Sequence, residues 1–174
     1  MYSGKTEQLI HRIKRAEIAG QRAVVFKPKI DDRYSENDVI SHSGLKAKAI
    51  AVKDSKDLYS RCSYGNFDIL AIDEIQFFDE NITGVIYAFL EMKKRVIVTG
   101  LDMDFRKDPF MYSELFSIAK EITKLRAVCQ VCGEDAMYTQ RLLNGNPAPL
   151  DGATVIVGGK EQYEARCEKC WEAG

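Results

Sequence analysis

The chain has 174 residues, 45% of them hydrophobic, and its 25 basic and 26 acidic residues leave a net charge of −1. That length fits one ordinary domain, alone or with a small subdomain, and the near-neutral charge argues against a nucleic-acid polyelectrolyte binder, which is usually strongly basic. Four of the five cysteines fall in metal-ligand spacing, and the sequence shows neither a signal-peptide pattern nor an apolar run of membrane-spanning length, so the reducing cytoplasm is the expected compartment.

Met1-Tyr2-Ser3-Gly4-Lys5-Thr6 closes on Gly-Lys-Thr, the tail of the phosphate-binding pattern G-x-x-x-x-G-K-[ST]. The first glycine of that pattern would fall two residues before Met1, and the strand that feeds such a loop earlier still. Either the chain is trimmed or the match is fortuitous; trimming is favoured, with Met1 an internal residue of the natural protein. Leu9, Ile10, Ile13 and Ala16 recur at helical spacing, so the pattern predicts a helix from Lys5 to Ala19 stopped by Gly20. Ala23-Val24-Val25-Phe26 reads as a buried strand. Lys27 to Ser43 reads as a long polar loop. Leu45 to Val52 predicts another strand, and Ser55 to Cys62 a helix capped by Ser55. Ile69-Leu70-Ala71-Ile72 and Val96-Ile97-Val98 are further buried runs, separated by a helical pattern from Asn81 to Lys94. Asp102 to Tyr112 reads as loop and Ser113 to Ala119 as a short helix. From Ile122 the pattern turns to β hairpins around the cysteines.

Short apolar strands alternating with helices mean a parallel sheet covered on both faces, with ligands bound at the strand C-termini. The natural division is an α/β part, residues 1–125, and a zinc-held part, residues 126–174.

Three groups of residues carry chemistry. Gly4-Lys5-Thr6 at a helix start suits phosphate: the first amides point outward with partial positive charge, Lys5 reaches the terminal phosphates, and the Thr6 hydroxyl suits Mg²⁺. Asp73-Glu74 ends an apolar strand. There Asp73 can hold the metal, while Glu74, facing the other way by strand alternation, can take a proton from an attacking hydroxyl. Cys129-x-x-Cys132 and Cys167-x-x-Cys170 supply four sulfurs for a tetrahedral structural zinc, two disulfides being the competing reading. The 34 residues between the pairs (133–166) exceed ordinary zinc-ribbon spacing. A loop from about Leu142 to Glu161 is therefore expected to bind the acceptor substrate.

Asp73-Glu74-Ile75-Gln76-Phe77-Phe78, Gly100-Leu101-Asp102, Phe105, Pro109-Phe110 and the two cysteine pairs, with Tyr138-Thr139, Val157-Gly158-Gly159 and Tyr163 between them, resemble the zinc-containing thymidine kinases of bacteria, poxviruses and the animal cytosol. The likeness runs from Met1 to Trp171. It implies a P-loop, RecA-like sheet flanked by helices, with a small zinc-binding β subdomain carrying a lasso loop. It also implies transfer of the ATP γ-phosphoryl group to the thymidine 5′-hydroxyl. On that resemblance Glu74 is the catalytic base. Met1, Tyr2, Ser3, Gly4, Lys5 and Thr6 hold phosphate, with Thr6 and Asp73 at the Mg²⁺ position. Asp31, Asp32, Arg33 and Gln76 belong to the nucleotide site, and Arg106 is a further candidate phosphate contact. Phe105 stacks on thymine, and Met1, Leu101, Thr139 and Tyr163 line the base. Thr154, Val155, Ile156, Val157 and Gly158 match a lasso whose main chain bonds the pyrimidine edge. The resemblance further implies a homotetramer inhibited by thymidine triphosphate; the charge and the apolar pattern lead us to expect neither nucleic acid nor membrane as a partner.

Two other readings compete: a zinc-containing P-loop ATPase acting on nucleic acid, and a non-catalytic zinc-ribbon module. The neutral charge and the lasso speak against the first, and Lys5 with Asp73-Glu74 against the second. His11 and His42 are expected to be bystanders, Phe77-Phe78 packing residues, and Cys62 a buried thiol. Arg141 is a candidate bridge to a carboxylate.

Overall fold

A computed structural model describes residues 2–30, 38–40, 44–62, 65–154 and 162–174, Met111 by its backbone alone. The chain forms two compact units, Lys5–Gly100, and Met1–Gly4 with Leu101–Gly174.

In chain order the first unit runs α1 (Lys5–Ile18), β1 (Ala23–Pro28), β2 (Asp38–Ile40), β3 (Lys46–Lys48), β4 (Ile50–Val52), α2 (Ser55–Cys62), β5 (Ile69–Ile72), a 3-10 turn (Ile75–Phe77), α3 (Ile82–Glu91) and β6 (Arg95–Val98). Strands β4, β1, β5 and β6 form one sheet in that order, every pair parallel. All four residues of β5 are buried, as a central strand covered on both faces requires. Leu9, Ile10 and Ile13 of α1 pack with Val25 and Ala71 from the sheet, so the apolar stripe that predicts the helix is the face that holds it down. Phe89 of α3 meets the rings of Tyr59 and Phe67. Replacing Leu70, fully buried in β5, with alanine is expected to cost about 2–5 kcal/mol, measured as a lower urea midpoint at unchanged slope.

Three expectations are corrected. The region Lys27 to Ser43 is not all loop, because β1 extends to Pro28 and β2 pairs antiparallel with β3. The run Leu45 to Val52 is not one strand: β3 joins the hairpin while β4 joins the parallel sheet, and Ala49 between them is buried against the α1 cluster. The cap of α2 is Asp54, whose Oδ1 accepts the Asp57 amide at 2.7 Å. Ser55 is instead tied to Asp79, its amide at 2.8 Å and its hydroxyl at 2.7 Å. Gly20 does end α1. At φ 77 it lets its own amide reach Glu17 O and the Gln21 amide reach Ala16 O, a Schellman closure.

The second unit continues with a 3-10 turn (Met111–Glu114), α4 (Leu115–Ile118), β7 (Ala127–Val128), β8 (Asp135–Ala136), β9 (Tyr138–Leu143), β10 (Asn146–Pro147) and β11 (Tyr163–Arg166). β9 lies between β10 and β11, antiparallel to both, and β7 pairs with β8. Ala127, Cys129, Ala136, Ala165 and Cys167 form its small core. Of the segment Ile122 to Val128, only Ala127–Val128 is strand.

Candidate active site

In the first unit, β5 delivers Asp73 to the C-terminal edge of the sheet. The Asp73 amide donates to Phe26 O at 2.9 Å, one step beyond the β1–β5 ladder. Thr6 Oγ1 lies 3.1 Å from Asp73 Oδ2, the Glu74 amide lies 3.0 Å from Oδ1, and the Thr99 hydroxyl donates to Oδ1 as well. Asp73 is only 4% exposed. Burial first, and the charge of Glu74 second, push its carboxyl up to about 6; the two hydroxyls and Lys5 offset only part of this. A carboxylate so placed favours a cation. Adjacent oxygens of an octahedral Mg²⁺ with ~2.1 Å bonds lie about 3 Å apart, so the Thr6–Asp73 pair fits that ion. Lys5 opens α1 after Gly4 at φ 80, the arrangement in which helix amides receive phosphate.

Glu74 has φ 50 and ψ 51, a left-handed conformation that costs a non-glycine residue about 1–3 kcal/mol and recurs at functional sites. The residue sits beyond β5, so the turn rather than strand alternation sets its direction. Its Oε2 accepts the Gln76 side-chain amide. Gln76, expected among the nucleotide contacts, therefore also holds the carboxylate of its neighbour.

In the second unit, Thr139 and Tyr163 are buried on β9 and β11, and Tyr163 stands opposite Arg141 in register. Phe105 is buried, with the Arg141 guanidinium 4.5 Å and that of Arg106 5.2 Å from its ring centre. Arg106 is engaged by Asp104 through Nε at 2.9 Å and Nη2 at 2.8 Å, and it donates to the Thr154 hydroxyl. Asp104 and Thr154 thus engage the Nε and Nη2 donors of Arg106, while Nη1 reaches only Leu150 O at 3.5 Å. Leu101 is half-buried and Thr154 exposed. Arg141 does not bridge to a carboxylate among the described residues. Its Nη1 donates to Ala153 O at 2.7 Å, and its Nη2 is buried without a hydrogen-bond partner among the described residues. Met1, Asp31, Asp32, Arg33, His42, Val155, Ile156, Val157 and Gly158 lie outside the described residues. His11 is exposed, Phe78 is buried, and burial pushes the Cys62 thiol up to about 12.

The sulfurs of Cys129, Cys132, Cys167 and Cys170 all lie within 4.8 Å of one another. Cys132 and Cys167 stand 3.6 Å apart, too far for a disulfide of ~2.05 Å and close to the ~3.8 Å edge of a tetrahedron with 2.3 Å Zn–S bonds. The β7–β8 hairpin holds the first pair, with the Cys129 amide on Glu134 O at 2.8 Å and the Gly133 amide, at φ 79, on Cys129 O at 2.9 Å. Burial opposes charge on Cys129, yet amides of Cys167, Cys132 and Val131 aimed at its sulfur hold the thiol down to about 6. Hydrogen bonds shared with Cys167 and Cys132 push Cys170 up to about 12. Four thiolates cannot coexist without a dication, and zinc relieves that conflict.

Two residues here were not singled out from the sequence. Thr99 follows β6 and bonds Asp73, a role only the register of β5 with β6 reveals. Asp104 is buried and also accepts the Asp108 amide at 3.1 Å; one acidic residue in a loop of three gave no sign of this.

A parallel sheet with Gly-Lys-Thr opening its first helix and Asp73 at a strand end, in one chain with a closed four-cysteine site, defines a zinc-binding P-loop nucleotide-binding protein. The family model for thymidine kinase matches residues 1–171. The chain belongs to the thymidine kinase family. It catalyses ATP-dependent phosphorylation of thymidine to thymidine monophosphate, with Mg²⁺ accompanying ATP and zinc held structurally by the four cysteines.

Proposed function

We propose that Glu74 is the base of this reaction. The observation that carries the reading is the pair at the end of β5: Asp73 bound to the Thr6 hydroxyl, and Glu74 turned out of the strand and held by Gln76. Glu74 accepts the proton of the thymidine 5′-hydroxyl as that oxygen bonds to the γ-phosphorus and ADP leaves. Thr6 and Asp73 would hold Mg²⁺, directly or through water, and the ion neutralises charge on the phosphate oxygens. Lys5 and the amides from Met1 to Thr6 cradle the phosphates, with Asp31, Asp32, Arg33 and Gln76 in the nucleotide site and Arg106 as a further phosphate contact.

Thymidine binding falls to the second unit. Phe105 stacks on the pyrimidine, and the guanidinium groups of Arg141 and Arg106 beside its ring hold it in place. Met1, Leu101, Thr139 and Tyr163 line the pocket, and the main chain from Thr154 to Gly158 bonds the pyrimidine edge. Buried hydrogen-bonding groups left unpaired by cytosine would reject it. In functional terms residues 1–125 carry the nucleotide site together with Leu101 and Phe105 of the thymidine pocket, and residues 126–174 carry the zinc and the lasso. The enzyme works in the cytoplasm as a homotetramer under feedback inhibition by thymidine triphosphate; no described helix is long and apolar enough to cross a membrane.

The test combines MgATP with thymidine and follows both products. Thymidine monophosphate and ADP are expected in equal amounts, suppressed by thymidine triphosphate, with a tetramer in sedimentation. ADP release driven by single-stranded DNA instead of thymidine would overturn the reading.

A further inference from the structure

Lys107 stands two residues after Phe105, in a left-handed conformation at φ 72 that side chains rarely adopt. Its ammonium lies 4.2 Å from the ring centre of Tyr138, 4.2 Å from that of Trp171 and 3.1 Å from Glu168 Oε1. Two aromatic faces and a carboxylate thus enclose one cation, a stronger hold than a lone surface ion pair. All three partners adjoin functional segments. Glu168 sits between the zinc ligands Cys167 and Cys170, Trp171 follows Cys170, and Tyr138 opens β9 beside Thr139. A second tie runs in parallel: the Trp171 indole N–H donates to Phe105 O at 3.3 Å. The zinc knuckle itself is held from behind, with the Cys170 amide 3.2 Å and the Trp171 amide 3.1 Å from Cys167 O. The segment Phe105–Lys107 is therefore fastened to the zinc knuckle at both ends, by main chain at Phe105 and by charge at Lys107.

We propose that Lys107 and Trp171 are positioning residues for thymidine, which transmit the rigidity of the zinc site to the Phe105 ring without touching substrate. This rests on the reading of Phe105 as the thymine-stacking residue. A ring that must present one face to a base loses affinity when its loop samples other conformations, because only the competent fraction binds. Zinc then acts on substrate binding by two routes, through the root of the lasso and through this brace. The two are separable, since the brace can be cut with all four cysteines intact.

The experiment compares Lys107→Met, which keeps the stem and removes the charge, with Lys107→Arg, which keeps a cation over the rings, and with Trp171→Phe, which keeps a ring and removes the N–H. Phe105→Ala is the control. Thymidine Kd by calorimetry, KM for each substrate, kcat and zinc content are measured for each. Trp171 is the single tryptophan of the chain, so its emission reports the cage directly in the parent protein. Lys107→Met and Trp171→Phe are expected to raise thymidine Kd and KM about tenfold, leaving KM for ATP, kcat at saturating thymidine and zinc content unchanged. Lys107→Arg should recover most of the loss, and thymidine should shift Trp171 emission in the parent protein. Weakened binding in Phe105→Ala with normal binding in both brace variants would overturn the brace and leave the stacking role standing. Normal thymidine binding in Phe105→Ala would remove the stacking role and the inference with it. Loss of zinc or of ATP affinity in Lys107→Met would make Lys107 a stability residue and overturn the proposal.

Discussion

Glutamine in place of Glu74 is expected to lower turnover by about 10²-fold or more while thymidine and ATP still bind. The substitution keeps the shape of the side chain and a carbonyl oxygen for the Gln76 amide, so the left-handed turn and its surroundings persist. It removes the one property the chemistry needs there, a carboxylate able to accept a proton as the 5′-oxygen attacks. Two readouts separate this from a packing defect. The rising limb of the pH–rate profile should flatten, because that limb requires an ionised base. Asp73 should also titrate lower: burial is the larger cause of its rise to about 6, but the charge of Glu74 is the next, and glutamine abolishes that contribution. The shift has a consequence for stability. A folded carboxyl that titrates above its unfolded value favours the folded state at low pH and gives that advantage up as pH rises from about 4 to about 6. The Glu74→Gln protein should therefore lose less stability over that window than the parent, both measured without Mg²⁺ by urea titration. Full turnover in the variant would remove Glu74 from its assigned role.

Cys129→Ser is expected to abolish tight zinc binding and raise the KM for thymidine. Structural zinc sites contribute about 10–16 kcal/mol of apparent binding energy in small zinc domains, where binding and folding are one event. Cys129 is the ligand whose sulfur the surrounding amides prepare for charge, and it lies in the small core with Ala127, Ala136 and Ala165. Serine supplies a hard oxygen that zinc prefers far less than thiolate, and it adds a polar atom to an apolar cluster. The β7–β8 hairpin should loosen, and with it β11, which accepts the Gln130 amide at Ala165 O. In the parent protein, zinc affinity should fall steeply as pH drops from about 8 to 6, because the metal must displace thiol protons. Zinc content measured beside thymidine kinetics decides the matter; an unchanged pair of values would sink the structural role.

Much of this architecture is readable from residue patterns, for identifiable reasons. β1 and β5 lie inside the sheet and are largely buried, and the edge strand β6 is half-buried from Val96 to Val98, so all three appear as apolar runs between polar ends. α1 carries its stripe because one face packs on Val25 and Ala71. The cysteine spacing survives any fold, since two tight turns place the sulfurs. What escaped detection depends on partners distant in sequence. β2 and β3 are three residues each, with one core contact apiece, Val39 and Ala47, and β3 has lysine on both sides of that contact, so neither has a strand signal of its own. Ser55 looks like a helix cap until Asp79 claims it and Asp54 takes the role. The reach of Thr99 to Asp73 follows from strand register alone. The left-handed turn at Glu74 has no local cause in sequence, since nothing about a glutamate favours positive φ.

The division of the five cysteines also gives the protein a built-in gauge. Four sulfurs converge on the metal and the fifth, on Cys62, is buried with its thiol pushed up to about 12. A colorimetric thiol reagent should thus find almost nothing to react with in fully loaded protein, and should react with the freed cysteines once a chelator strips the ion and the β7–β8 hairpin loosens. The depth of colour in a native sample then reads the fraction of molecules that have lost their metal, with no need to assay turnover.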